Sequence, residues 1–457
     1  MYRNFSLLFF AGLLSITFGV FGQGTGNNPY SAIGIGDLEN NYGSVRNIGM
    51  GSTGISARNH QFINFLNPAL LGNNKGIRLD STVKMEYAGT AQFRGLNAPS
   101  GSETSQGVNI QYFSLFFPVS KVWGTAIGLQ PYSAVQYDIS YSKTVTGGAT
   151  GDTANYQNSG HGGLYKLFFS NGVGLSKTIS VGLEASYLFG NITESVSAAL
   201  PSAGITNEGF KQITSYSNLY LKPGIRYRKE LYKTIVDTVR TYDSISFENK
   251  VFVKIYKKPT GIFVNGAFTC DYNSAAKIQQ STSLYNVSVN NIVVLDTAVT
   301  TKKYAASLPP SFRFGLSIDK FMKWNIAADI SYAAWSKFNP GYTANQLGDS
   351  YTVALGGEFT PGELKLKSRT YRLGFSYTKS PIVIEGKQLN DISVSLGATV
   401  PFGRRATSMS AILPKVNIAI VVGQRGNNVA GTITEQYVKA FVSVLINDKW
   451  FNKRKIY

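Results

Sequence analysis

The sequence predicts an all-β protein, a transmembrane antiparallel β-barrel of about fourteen strands. Three observations favour this class. The 457 residues include 27 Tyr, 28 Phe and 47 Gly but only 15% charged residues, a composition typical of strands rather than helices. Segments of about ten residues alternate apolar with small polar side chains. After the first 22 residues no apolar run reaches 18 residues, which excludes a bundle of membrane-spanning helices.

The alternation is clearest in the C-terminal part of the chain. In the stretch YRLGFSYT, one face carries Tyr371, Leu373, Phe375 and Tyr377, and the other carries Arg, Gly, Ser and Thr. A soluble β-sandwich also alternates, but its outward positions carry many Lys, Glu and Asp residues. A small polar face with aromatic residues near the strand ends therefore favours a barrel in lipid.

An even number of strands places both termini of a barrel on the periplasmic side. The predicted strands are 80–93, 107–117, 122–143, 162–171, 179–193, 211–228, 259–271, 311–318, 323–336, 350–359, 367–378, 390–400, 415–423 and 433–446. The connection 272–310 is predicted as a long extracellular loop. The connection 229–258 is a periplasmic extension, either a hairpin that prolongs two wall strands or a docking surface for a periplasmic partner.

Residues 1–22 have the pattern of an export signal. Arg3 precedes an apolar run, and small residues allow cleavage before Gln23. A membrane anchor is the alternative, but the run is short and the flexible stretch GQGTGNN follows it instead of a basic cluster. The sequence therefore predicts an exported outer-membrane protein. Its divisions are 1–22 (signal peptide), 23–78 (N-terminal segment), 79–446 (barrel) and 447–457 (basic periplasmic tail).

Two short motifs resemble a known family. The motifs consist of Gly49, Met50 and Gly51, and of Asn67, Pro68 and Ala69. They resemble the N-terminal region of FadL-type outer-membrane transporters, in which a Gly-rich segment precedes an NPA sequence. The stretches PYSAIGIGDL (29–38), WGTAIGLQPYS (123–133) and NDKWFNKRKIY (447–457) resemble the FadL-like and PorV-like barrels of Bacteroidetes.

The resemblance implies that residues 23–78 fold inside the barrel as a hatch. The stretch 47–71 suits neither a helix nor a strand, yet it contains several apolar side chains. A barrel of about fourteen strands has a lumen too wide for its wall side chains to fill. Irregular backbone at membrane depth is tolerated inside protein, which agrees with a hatch. A disordered N-terminal leader is the alternative.

The same resemblance implies a kinked wall strand. FadL-type barrels have a strand that interrupts wall pairing and gives apolar substrates a sideways exit into the membrane. Here Gln130, Pro131 and Tyr132 lie in the middle of strand 122–143, and a proline cannot donate to the ladder. We expect a local gap in pairing. An ordinary bulge, or two separate strands around a turn, are the alternatives.

Enzymatic and nucleic-acid functions find little support in the residues. The two histidines, His60 and His161, are not followed by a nucleophile pattern, and we expect no catalysis, no metal site and no cofactor. The formal charge is +19, but the sequence contains no compact basic helix, so no nucleic-acid partner is expected. Anionic lipid and lipopolysaccharide are better partners for the cations. The basic tail contributes Lys449, Lys453, Arg454 and Lys455.

Two functional hypotheses follow. The first is passive transport of hydrophobic or amphipathic small molecules, with a hydrophobic ligand in the lumen. The second is a non-transporting accessory subunit with a periplasmic or membrane protein partner, because the resemblance includes PorV-like proteins, which act as partners in type nine secretion. An open porin is a third option, disfavoured if a hatch is present.

Overall fold

The computed structural model describes most of the chain as one antiparallel sheet. The described residues are 24–39, 43–72, 82–99, 101–144, 153–199, 207–243, 248–273, 276–287, 293–306, 308–321, 323–340, 347–362, 368–402, 413–426 and 432–448. The strands are β1 (Asp37–Leu38), β2 (Val83–Ala98), β3 (Gly101–Pro118), β4 (Trp123–Thr144), β5 (Thr153–Gly174), β6 (Ile179–Ala199), β7 (Asn207–Asp243), β8 (Glu248–Asn273), β9 (Ala276–Val287), β10 (Val293–Ala306), β11 (Ser311–Lys320), β12 (Trp324–Ala333), β13 (Ser350–Phe359), β14 (Thr370–Ile384), β15 (Lys387–Pro401), β16 (Lys415–Gly426) and β17 (Thr434–Asp448).

Helical structure within these ranges is limited to short pieces. They are α1 (Val45–Ile48) and three 3₁₀ turns, Pro29–Ala32, Pro68–Leu71 and Trp335–Lys337. Of the helices described, none has the length and apolar character needed to span a membrane.

The wall of the barrel closes through fourteen strands, β2–β8 and β11–β17. The seam is the β17–β2 ladder, which runs from Thr434 opposite Asn97 to Asp448 opposite Val83. On the far side, β8 pairs directly with β11 from Asp271 to Ile262. The predicted closed barrel of about fourteen antiparallel strands is therefore confirmed, because these ladders join all fourteen wall strands into one closed ring.

The outward face of the wall is apolar and the inward face is polar. On β14, Tyr371, Leu373 and Phe375 are 45–59% exposed, whereas their neighbour Arg372 points inward and is buried. The same arrangement recurs on the other wall strands. Aromatic and aliphatic side chains thus face the lipid, and charged side chains are enclosed in the lumen.

The segment 272–310, predicted as a loop, contains a β-hairpin in its described part. Strand β9 pairs with the first residues of β7, from Ser217 opposite Lys277 to Asn207 opposite Val287, and β10 pairs with β9. Strand β7 extends past the point where β8 ends, so its edge would otherwise lack a backbone partner. Sequence alternation alone did not reveal this long-range pairing.

Strands β7 and β8 also continue beyond the opposite end of the wall. The last pair with β6 is Tyr227 opposite Ile179, and the last pair with β11 is Ile262 opposite Lys320. Residues 229–243 and 248–261 lie beyond these pairs and form a two-stranded extension. As far as the described strands show, residues 229 and 230 pair with residues 264 and 263 at its base, and residues 232–243 pair with residues 248–259. We call it the β7–β8 ribbon. It lies at the end of the barrel where β2 begins and β17 ends, the periplasmic end by the rule for barrel termini.

Residues 24–39 and 43–72, here called the N-terminal segment, pack against the inward face of the wall. Val45, Ile48 and Phe65 of this segment belong to one buried cluster with Tyr112 of β3 and Phe441 of β17. Further contacts reach β5, β7, β12, β13 and β15. Because these strands surround the lumen, the segment occupies its interior.

Candidate functional site

The Gly-Met-Gly motif follows directly after α1. The hydroxyl of Ser44 donates to the side-chain oxygen of Asn47 at 2.7 Å, which caps the start of this helix. The backbone N–H of Gly51 donates to the hydroxyl of Ser395 on β15 at 2.8 Å. Met50 is fully buried. The motif thus lies against the wall between β13 and β15.

Glycines in the wall make room for this motif. A Cβ atom added to Gly374 would lie 1.9 Å from the backbone nitrogen of Gly51, and one added to Gly356 would lie 2.0 Å from the carbonyl oxygen of Met50. Gly356 and Gly374 are directly opposite each other on β13 and β14. The backbone of the motif therefore packs on two wall positions where only glycine fits without movement.

A second row of glycines holds the Asn-Pro-Ala motif. Four glycines occupy consecutive register positions across β4, β5, β6 and β7: Gly124, Gly172, Gly182 and Gly224. A Cβ atom on Gly172 would lie 2.2 Å from the carbonyl oxygen of Pro68, and one on Gly182 would lie 2.3 Å from its carbonyl carbon. The row lets the backbone of this motif lie flat on the wall.

Asn67 fixes the motif through its side chain. Its carboxamide nitrogen donates to the carbonyl oxygens of Ile55 at 3.1 Å and Ile225 at 3.3 Å, and its oxygen accepts from the N–H of Ala69 at 2.9 Å. One asparagine therefore joins two parts of the N-terminal segment to β7. Sequence reasoning singled out the motif but missed the glycine row, although Gly124, Gly182 and Gly224 each lie in a predicted strand and Gly172 directly follows one.

A buried ion pair joins the N-terminal segment to β13. The guanidinium of Arg46 donates twice to Glu358, with Nη2–Oε1 at 2.7 Å and Nε–Oε2 at 3.0 Å. The same carboxylate accepts from Arg372 Nε at 3.3 Å and from Asn59 Nδ2 at 3.0 Å. The side chains of Arg46, Glu358 and Arg372 are almost completely buried. Such an ion pair holds the N-terminal segment on β13, because removing either partner would leave an uncompensated buried charge.

A second charged network surrounds β1. Asp37 accepts from Arg425 at 3.0 Å, and Arg94 donates to Glu435 at 3.0 Å. Burial raises the pKa of Asp37, but the charges of Arg425, Lys439 and Arg94 outweigh burial and hold this pKa well below its usual range. Burial also raises the pKa of the Tyr30 phenol to about 12. Residues 30–37 are therefore held by charges from β2, β16 and β17.

The wall is interrupted between β3 and β4. Their ladder runs only from Pro118 opposite Gly124 to Phe113 opposite Leu129. Beyond Leu129 the two strands do not pair with each other in the described structure, although each remains paired with its other neighbour. We call this opening the β3–β4 gap. The register of β4 with β5 shifts between Pro131 and Ser133, which leaves Tyr132 as an extra, bulged residue.

The start of the N-terminal segment lies in the β3–β4 gap. Gly24 forms a bridge with Val108 of β3, and the N–H of Asn28 donates to the carbonyl oxygen of Gln136 on β4 at 2.8 Å. The side chain of Asn27 donates to Glu103 of β3 at 3.0 Å and to the carbonyl oxygen of Asp138 at 3.2 Å. Residues 24–28 thus supply hydrogen bonds that the separated strands do not make to each other.

An apolar cluster lies inside the barrel beside this gap. Ile35 of the N-terminal segment is buried against it. The buried members are Ile35, Tyr132, Val135, Tyr137, Leu164, Leu188, Ile192, Tyr216, Ala276, Ile278, Ala306, Leu308, Trp335 and Leu347. Because these residues come from β4–β7, from β9–β10 and from the chain around β11–β13, one side of the lumen is lined by apolar side chains.

The lumen also contains a cavity of about 120 Å³ with a mixed polar and apolar lining. Its lining includes Asp37, Ser52, Asp329 and several Ser and Thr hydroxyls of β12–β15. Asp329 accepts the N–H groups of Gly54 at 2.8 Å and Ile55 at 3.1 Å. The lumen therefore contains an apolar cluster next to the β3–β4 gap and a cavity of mixed lining that reaches along β12–β15.

The remaining predicted residues lie apart from this site or outside the described ranges. Gln130 and Pro131 are buried where the gap begins, directly after the last β3–β4 pair at Leu129. His60 lies near Phe321 and His161 lies on β5, so the two histidines are on different elements. Lys449, Lys453, Arg454 and Lys455 lie outside the described residues. Within the described ranges, no group of three or more metal-ligating side chains is present.

These features define a class of protein: a closed, fourteen-strand outer-membrane β-barrel of the FadL architecture, with a chain segment in its lumen. The chain belongs to the BamG family, whose family model matches residues 1–457. A search of curated protein sequences finds no match to this chain.

Three solved structures illustrate the similarity of the fold. The toluene transporter TodX of P. putida has a TM-score of 0.56 at 15% identity, with 90% of this chain and 99% of that chain covered. The monoaromatic hydrocarbon channel CymD has a TM-score of 0.51 at 12% identity, covering 92% and 100%. A FadL homologue of Pseudomonas aeruginosa has a TM-score of 0.50 at 11% identity, covering 89% and 98%. Similarity at these identities shows the fold alone.

Proposed function

We propose that this protein is a passive outer-membrane channel for small hydrophobic or amphipathic molecules. The observation that carries the proposal is the β3–β4 gap, which opens the wall beside the apolar side of the lumen. The fold similarity to structures described as toluene and monoaromatic hydrocarbon channels supports the same function. The structure corresponds to the closed state, because residues 24–28 fill the gap.

The proposed path crosses the wall and not the full length of the lumen. Ion pairs at Glu358 and hydrogen bonds at Asn67 hold the inner part of the N-terminal segment, which acts as the hatch. Residues 24–39 are held separately, through Gln136, the β1–β4 pairs and the ion pair of Asp37 with Arg425. Movement of this outer part alone would open a route from the apolar cluster through the gap into the lipid. A charged solute would gain nothing from this route, because it would lose its hydration.

A disulfide that can be reduced tests the proposal. Leu38 lies directly opposite Ser133, at a spacing that suits a cross-strand disulfide. The variant Leu38→Cys/Ser133→Cys, in a background with Cys270→Ser, should transport little N-phenyl-1-naphthylamine into vesicles when oxidised and should recover on reduction. The same Cys270→Ser protein without the new cysteines is the control and should not respond to reductant. Equal uptake by the oxidised and reduced forms, or uptake no faster than barrel-free vesicles, would refute the channel.

We also propose that residues 1–22 are removed on export and that the basic tail contacts anionic phospholipid headgroups. Cleavage would leave Gln23 at the N-terminus, one residue before the bridge between Gly24 and Val108. Intact-mass measurement of the protein purified from membranes would test the cleavage site. A mass that includes residues 1–22 would exclude it.

A second candidate function is that of an accessory subunit in an outer-membrane secretion or assembly complex, as the resemblance to PorV-like proteins of Bacteroidetes implies. The β7–β8 ribbon favours it, because the ribbon extends past the wall without a partner among the described residues. Purification in mild detergent, with and without residues 229–258, would separate the candidates. A subunit should copurify stoichiometrically with the same proteins only when these residues are present, whereas a channel that functions alone should not.

A further inference from the structure

The β7–β8 ribbon exposes backbone groups along both of its edges. Residues 229–243 of β7 extend past the last hydrogen bond to the chain next to β6, which the Arg228 N–H donates to the carbonyl oxygen of Thr178, and residues 248–261 of β8 extend past the last pair with β11. At about 3.4 Å per residue the ribbon is roughly 50 Å long. A two-stranded hairpin of this kind is marginally stable alone, and its open edges are templates for a further strand.

One face of the ribbon exposes several apolar side chains. Val236 and Ile255 lie directly opposite each other and are 61% and 68% exposed, and Tyr232 on the same face is 57% exposed. No sheet or helix in the described part of the chain covers this face. The exposed apolar surface would become partly buried if a strand were added next to β7 or β8.

The two edges differ in their capacity to accept such a strand. Strand β8 contains Pro259, which lacks an N–H, and Gly261 with a φ of +70°. Strand β7 contains no proline between residues 228 and 243. A proline at an edge blocks strand addition, so the β7 edge is the open one.

Pro259 also indicates which N–H groups point outward. It lies opposite Tyr232, and a proline fits a ladder only where its nitrogen faces away from the partner strand. Alternation then directs the N–H of Val236 to the free edge of β7 and the N–H of Ile255 to the free edge of β8. These two opposed residues form a matched pair for mutagenesis.

The charge of the ribbon favours an acidic partner. Its described side chains beyond the base carry five Lys and two acidic groups, a net charge of +3 (5 − 2). They are Lys229, Lys233, Lys254, Lys257 and Lys258, with Glu230 and Asp237. A strand that alternates acidic with apolar residues would place carboxylates near these lysines and apolar side chains beside Val236.

We propose that the β7 edge of the ribbon binds an extended acidic segment of a periplasmic protein as an additional β-strand. The docking site is the backbone of residues 229–243, and the lysines select the charge of the incoming strand. This binding mode rests on the accessory role proposed above. It does not depend on whether the barrel conducts, because the ribbon lies outside the lumen.

Binding of a synthetic peptide to the full-length protein in lipid nanodiscs tests the proposal. The probe is a fluorescent twelve-residue peptide that alternates Glu with Val and Thr, and fluorescence anisotropy measures its affinity. We expect saturable binding that weakens with added salt, and no binding of the same peptide with Lys in place of Glu. Val236→Pro should weaken binding by about tenfold or more, the loss expected for one or two hydrogen bonds, whereas Ile255→Pro should change it by less than about twofold.

Several results would overturn the proposal. Equal effects of the two prolines would show that side chains and not the β7 edge bind the peptide. Equal binding of the Lys peptide would remove the charge selection. Concentration-dependent dimers that Val236→Pro abolishes, without peptide binding, would identify a second copy of this chain as the partner. Binding of the ribbon to phosphatidylglycerol vesicles, without peptide binding, would identify lipid. Heat-modifiable gel mobility verifies folding of each variant, and Thr234→Pro replaces Val236→Pro if the latter does not fold.

Discussion

Substitution of Glu358 by Gln tests how the N-terminal segment is held in the lumen. The carboxylate of Glu358 joins Arg46 of the segment to Arg372 of the wall, and the two guanidinium side chains are 1% and 0% exposed. In the variant both cations stay buried without their counter-ion. Removing one partner of a buried ion pair costs about 3–5 kcal/mol, a factor of roughly 10²–10⁴ in the equilibrium that retains the segment.

Limited proteolysis measures this change directly. Trypsin can cleave after Arg46 only when the segment leaves the lumen, since Arg46 is buried, whereas Arg58 is half-buried. We expect cleavage of the Glu358→Gln protein in vesicles to accelerate by a factor of up to roughly 10²–10⁴. The reason is that cleavage follows the population of protein whose segment has left the lumen, when this opening is fast.

The matched control is Glu184→Gln. Glu184 is equally buried and accepts from Lys166 at 3.0 Å and from Lys222 at 3.3 Å, but both cations belong to the wall. This variant should lower the stability of the barrel without faster cleavage at Arg46 or Arg58. The reasoning is refuted if Glu358→Gln is cleaved at the wild-type rate, or if Glu184→Gln accelerates cleavage equally.

Three further predictions concern the same segment. Gly182→Ala should destabilise the folded barrel by about 1–3 kcal/mol, because the new Cβ atom would lie 2.3 Å from the backbone of Pro68, whereas Gly95→Ala, in open space, should have no effect. The readout is the temperature at which each variant loses the gel mobility of the folded barrel. Equal temperatures for the two variants would contradict the packing argument. Asp329→Ala should leave two N–H groups, those of Gly54 and Ile55, without their acceptor and cost about 1–3 kcal/mol. Tryptic cleavage after Arg58 should accelerate, and an unchanged rate would count against this anchor. The lowered pKa of Asp37 means that its contribution to stability is present above the ordinary carboxyl pKa of about 4 and is lost as the pH falls below it. The Asp37→Asn protein should therefore lose less stability than wild type between pH 7 and pH 3, and identical losses would show that Asp37 contributes nothing.

The wall was predictable from sequence because its signal is local. Alternation with a period of two identifies a half-buried strand, and each of the fourteen predicted wall segments overlaps one observed wall strand. The strand ends were less accurate. The predicted strand 162–171 begins nine residues late, since β5 starts at Thr153. Outer strand ends continue into paired hairpins with polar side chains, where the alternation of apolar residues disappears.

The lumen contacts were not predictable, because they join residues far apart in the chain. Arg46 and Glu358 are separated by 312 positions, and neither lies in a motif that indicates its partner. The glycine row is an intermediate case. Gly172 and Gly182 each interrupt the side chains of a strand, but only the register shows that they are neighbours. The position of Pro131 suggested a gap, whereas the filling of that gap by residues 24–28 required the structure.

Spin labels across the β3–β4 gap test the central claim most directly. In a Cys270→Ser background, labels at Asn27→Cys and Glu103→Cys should lie close together, because the native side chains are in contact at 3.0 Å. In lipid vesicles the account predicts strong dipolar broadening of the spectrum, which decreases when toluene is added and residues 24–28 leave the gap. Sharp, uncoupled spectra without toluene would contradict the claim that the start of the N-terminal segment closes the wall.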